Sequence, residues 1–76
     1  MKVKSFVLIL PKQEGQENNK IFFEPDKYLQ FSARLGALRS QGINVMPKVV
    51  VTTDGGTERW LYYSQYKNLK KEGQIW

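Results

Sequence analysis

Two strand-like runs, "KVVVTT" at 48–53 and "TERWLYYSQY" at 57–66, stand on either side of Asp54-Gly55-Gly56. β-Branched and aromatic residues suit a pleated, half-buried surface, and a glycine pair supplies the positive φ that a tight reversal demands. The stretch therefore predicts an antiparallel hairpin. Side chains alternate along a strand, so the length of the loop decides which residues share a face. With an even loop, of two or four residues, Val49, Val51, Trp60, Tyr62 and Tyr66 fall on one side. Lys48, Val50, Thr52, Arg59, Leu61, Tyr63 and Gln65 fall on the other. A three-residue loop with a glycine bulge would reverse this pairing. The first set has no basic residue and most of the large rings, so it is assigned to the core.

The remaining segments read as further strands and a covering helix. Residues 2–10, "KVKSFVLIL", alternate at first and finish continuously apolar, the pattern of a central strand covered on both faces at one end. Uniform alternation separates Lys2, Lys4, Phe6, Leu8 and Leu10 from Val3, Ser5, Val7 and Ile9. With Val3, Val7 and Ile9 toward the helix, Lys2, Lys4 and Phe6 face outward. Pro11 ends the strand, and "PKQEGQENNK" at 11–20 predicts a flexible polar loop before a short strand over Ile21–Phe23.

"EPDKYLQFSARLGALRSQG" at 24–42 carries the clearest helix signal. Pro25 suits a first helical position, Asp26 suits the positive end of the helix dipole, and Gly42 suits a left-handed terminator. Tyr28, Phe31, Leu35 and Leu38 form one apolar stripe. Ser32, Ala33, Gly36, Ala37 and Ser40 form a band of small side chains, read either as the helix lying close on its own sheet or as a contact with a second copy of the chain. The closing segment 67–76, "KNLKKEGQIW", reads as a basic extension with one helical turn broken at Gly73. The order β-β-α-β-β predicts a single α+β domain over 1–76: a four-stranded antiparallel sheet with one helix packed on one face.

Composition narrows the chemistry. Cysteine and histidine are both absent, which removes disulfides, thiolate nucleophiles, the usual structural zinc sites and the commonest general base. Gly55-Gly56 lacks the Lys-Ser/Thr of a phosphate-binding loop and lies between strands. Glu14, Glu17, Glu24 and Asp26 are not spaced as an acid/base pair or a calcium loop. The expectation is a protein that is not an enzyme and uses no metal or other cofactor. The run "FVLIL" at 6–10 is too short for a signal-peptide core or a membrane span; with the missing cysteines it predicts a soluble, cytoplasmic chain with no membrane partner.

Twelve Lys and Arg against seven Asp and Glu leave +5 on 76 residues, a balance that favours polyanions. The outward sheet face is expected to set Lys2, Lys4, Lys48 and Arg59 among Phe6, Leu61 and Tyr63, with Lys67, Lys70 and Lys71 just past the aromatic strand. Cations neutralise phosphates while flat rings stack on bases. Lys2, Lys4, Phe6, Lys48, Arg59, Tyr63, Lys67, Lys70 and Lys71 are thus the candidate contacts of a small basic protein that binds DNA or RNA. Lysines on edge strands also guard against edge-to-edge aggregation, which is their plain structural reading. The alternative function is a protein–protein module, such as a phage or mobile-element inhibitor of a host nucleic-acid enzyme or defence complex, anchored by Trp, Tyr and Arg. The small-residue helix band adds a possible homodimer.

Overall fold

The computed structural model describes residues 1–11 and 19–74. Four strands, Lys2–Ile9 (β1), Lys20–Phe23 (β2), Met46–Thr52 (β3) and Glu58–Tyr62 (β4), form one sheet in the order β2-β1-β3-β4. All three pairings are antiparallel. Two α-helices, Tyr28–Ser40 (α1) and Tyr63–Lys71 (α2), make the class α+β. The sequence pattern predicts one of these helices and reads the start of the other as strand. Most of the polar loop expected at 11–20 lies outside the described residues, at 12–18. Its ends are tied by the Leu10 N–H and the Asn19 side-chain amide, which donate to the Asn19 and Leu10 carbonyls, each at 2.8 Å.

A single 3-10 turn over Pro25–Lys27, with proline in its first position, leads into α1. The helix stops at Gly42, whose φ of +78° suits the residue without a Cβ. There the Gly42 N–H donates to the Arg39 carbonyl at 3.0 Å and the Ile43 N–H to the Leu38 carbonyl at 3.1 Å. These are the paired bonds of a Schellman terminator, and Gly73 ends α2 in the same way. The start of α2 is satisfied from within. The Gln65 Oε1 accepts the Tyr62 N–H at 3.1 Å, covering a donor that the first helical turn leaves unpaired. Its inward residues, Tyr63, Tyr66 and Leu69, recur every third position and meet the core.

Phe6 is the centre of that core. Its ring lies 5.3 Å from Tyr28, 5.0 Å from Phe31 and 5.5 Å from Tyr66, so one strand residue touches both helices. Phe31 extends the cluster to Phe23 and Tyr63 at 5.9 and 5.3 Å. Around it Leu8, Leu35, Val45, Val49, Val51 and Leu61 are buried. The small-residue band of α1 points elsewhere. Ser32, Ala33, Gly36, Ala37 and Ser40 are exposed, and no described residue beyond the adjoining turns of the helix lies within 4 Å of where a Gly36 Cβ would stand. The band therefore does not seat the helix on its own sheet.

Two local irregularities set the faces. The hairpin loop has three residues: the Thr53 N–H donates to the Thr57 carbonyl at 2.8 Å, the Gly56 N–H to the Thr53 carbonyl at 2.9 Å, and Gly56 has φ +84°. An odd loop pairs Val49 with Leu61 and Val50 with Trp60. Leu61 thus turns inward, while Trp60 and Tyr62 turn outward, opposite to the even-loop expectation. The second irregularity is a bulge at Lys4, where Val3 and Ser5 pair with the adjacent residues Val51 and Val50. The extra residue reverses the alternation, so Val3, Phe6 and Leu8 all reach the helical side. Phe6, expected outside, is 2% exposed, and Val7, expected toward the helices, turns to the opposite face.

Phe31→Ala should lower stability by about 3–5 kcal/mol in urea titrations, a large part of what so small a domain has. Trp60→Ala should retain a cooperative transition and cost less. Gly56→Ala should cost about 1–2 kcal/mol, because its backbone is left-handed.

Candidate functional site

The sheet face away from the helices carries its side chains in rows fixed by the register. One row is Phe22, Val7, Lys48 and Tyr62; the next is Ser5, Val50 and Trp60; a third is Lys20, Ile9 and Met46. No described helix lies on this face, yet Val7 and Val50 are buried. Phe22 and Trp60 belong to the two outer strands, β2 and β4, roughly 14 Å apart at the usual inter-strand spacing. Their rings nevertheless meet edge to face at 6.1 Å, so each leans over the two central strands. Both stay open to solvent on their outer side, with Phe22 56% and Trp60 43% exposed.

Tyr62 continues the aromatic surface at 51% exposure, and the Lys48 Nζ sits 3.9 Å from its ring centroid. That cation–π contact holds a positive charge against the patch. Of the described carboxylates, only Glu58 occupies a register position on this face, and it is paired with Lys4. Among the described residues the face is therefore apolar, aromatic and positively charged, with its one acid already engaged.

The helical side holds a second basic region. Arg39, Met46, Tyr62, Tyr63 and Lys67 line a cleft of about 250 Å³ at the edge where the open face meets α2. A separate hollow of about 350 Å³ is bordered by Lys2, Phe6, Tyr28, Tyr66 and Lys70. Lys67 lies 4.8 Å from the Tyr63 ring, and Lys70 lies 5.8 Å from each of Tyr28 and Tyr66. Between the two hollows the hydroxyls of Tyr28 and Tyr63 share a 2.5 Å hydrogen bond. Burial, and next that hydrogen bond, push the Tyr63 phenol up to about 12, while Arg39 pulls the other way.

Comparison with protein-family models, with curated proteins and with solved structures finds no match to this chain.

The nine residues expected to form one site are divided among several places. Lys48 and Lys4 are on the open face, Lys4 being held by Glu58, and the register of Lys2 with Thr52, opposite Glu58, puts Lys2 on that face as well, at its end. Phe6 is core. Arg59 borders a cleft on the helical side with Leu61, Gln65, Asn68 and Glu72. Tyr63 is half-buried between the helices, with Lys67 over its ring; Lys2 and Lys70 share the neighbouring hollow, and Lys71 is exposed at the end of α2. Phe22, Trp60, Tyr62 and Met46 were not among the expected contacts but form the exposed apolar patch. The three-residue reading of the glycine loop is the sequence signal that places Trp60 and Tyr62 there. Among the described residues, no helix is long and apolar enough to cross a membrane and no three acids gather where they could hold a metal ion.

Because the folded state raises the Tyr63 pKa above its ordinary value of 10, the unfolded chain loses that proton first. The associated stability should be complete below about pH 10 and decline as pH rises toward about 12. A spectrophotometric titration should show one late tyrosine, absent in Tyr63→Phe, whose stability should fall less over that interval.

Proposed function

We propose that the protein is a small, non-enzymatic nucleic-acid-binding protein that uses its open sheet face. The observation that carries this reading is the exposure of Phe22, Trp60 and Tyr62 on one face with Lys48 seated on Tyr62 and the one described acid of that face, Glu58, paired with Lys4. Rings of this kind offer stacking surfaces to bases, and the net charge of +5 draws phosphates to them. Lys70 and Lys71 of α2 lie apart from this face and add to the long-range field that favours a polyanion.

A second reading, a module that binds a host protein, is favoured by the run of exposed Phe22, Met46 and Trp60, since contiguous apolar surface with aromatic anchors also marks protein interfaces. Fluorescence anisotropy with labelled oligonucleotides separates the two. The first reading expects binding whose affinity falls with salt, with a log–log slope on the order of −3 to −5 for four to six phosphates. The joint change Trp60→Ala and Tyr62→Ala should weaken it at least about tenfold, since each stacked base contributes about 1–3 kcal/mol. No binding at about 50 mM salt, together with nuclease-resistant recovery of one stoichiometric protein, would move the assignment to the second reading.

A further inference from the structure

We infer that the polyanion is a single strand, and that as it leaves the open face past Tyr62 one of its phosphodiesters is held by Arg39 and Lys67. This rests on the nucleic-acid reading above and makes it more specific. Trp60 and Tyr62 face the same way two residues apart on β4, so their points of attachment are about 7 Å apart along the strand, and the Trp60 ring leans away toward Phe22. Successive bases in a duplex rise only about 3.4 Å. Bases received on both rings must be drawn apart from each other, which a single strand permits and a paired duplex resists.

The path beyond Tyr62 is also defined. Tyr62 and Met46 belong to the open face by register, yet both line the cleft with Arg39 and Lys67. A strand stacked on Tyr62 thus meets that cleft on turning over the sheet edge. Arg39 sits in the last turn of α1 and Lys67 in the middle of α2, so two separate elements bring their charges to one place. No ion pair with a described carboxylate engages either side chain, and no described acid lines the cleft. The occupant the charges suit is a phosphate of the same strand, of DNA or RNA, since the 2′-hydroxyl plays no part in these contacts.

The test compares oligothymidylate of roughly 12 nucleotides with a duplex of the same length, titrated by anisotropy between about 50 and 200 mM salt. Wild-type protein should prefer the single strand. Joint Arg39→Gln and Lys67→Gln substitution should reduce the salt slope by about 0.7, the loss of one phosphate contact on a single strand. A charge-matched control, Lys27→Gln in the 3-10 turn with Arg34→Gln on α1, both at exposed positions that do not line the cleft, should leave the slope unchanged. Equal or tighter duplex binding would overturn the single-strand assignment. A slope reduced no further in the cleft variant than in the control would overturn the phosphate site while leaving the sheet-face reading in place. Absence of wild-type binding to either probe would overturn both.

Discussion

The contact between Phe6 and Phe31, 5.0 Å between ring centres, is the constraint on which the rest of the molecule depends. A domain of this size has little apolar surface to bury, so each large ring must serve more than one neighbour. Phe6 does so by standing at the middle of β1, the strand shared by β2 and β3, and meeting Tyr28, Phe31 and Tyr66 at once. The position of α2 follows from it. Without Tyr66 edge-on to Phe6, a nine-residue helix rich in lysine would have little reason to persist, since short isolated helices are marginal in water.

Much of this was legible from residue types. The α1 stripe, its glycine terminator, the four strands and the α+β class all follow from periodicity and turn chemistry. What escaped was parity. A bulge at Lys4 leaves no mark in "KVKSFVLIL", because lysine at that position suits an exposed strand residue equally well. The loop at Asp54–Gly56 can close with an even or an odd count, and the hydrogen bond from Thr53 to Thr57 decides it. Each such choice exchanges the whole content of a strand between faces. The reading of 57–66 as one strand failed for a different reason: Tyr62, Tyr63 and Tyr66 have the composition of a strand, while Tyr63, Tyr66 and Leu69 have the spacing of a helix. Tertiary contact with Phe6 and Phe31 settled the competition.

These corrections changed the candidate surface more than the fold. Residues selected for being basic and near aromatics were distributed around both sides of the sheet, because proximity in sequence does not survive a strand-to-helix change at Tyr63. The residues that gather on the open face are instead the ones that a hydrophobic pattern assigns to the interior. Exposed Trp60 and Tyr62 look like core in one dimension; only their register with Val50 and Lys48 distinguishes them.

The meeting of Phe22 and Trp60 above Val7 and Val50 has a consequence for how such a surface can change over time. The outer faces of these rings are free to meet a partner, while their inner faces shelter two valines of the central strands. Selection for a different ligand therefore cannot act on them without also acting on the cohesion of the sheet beneath. Tyr62 and Met46, lying at the margin of the patch, are less bound by that double duty, and variation in what the protein recognises has more room there than at its centre.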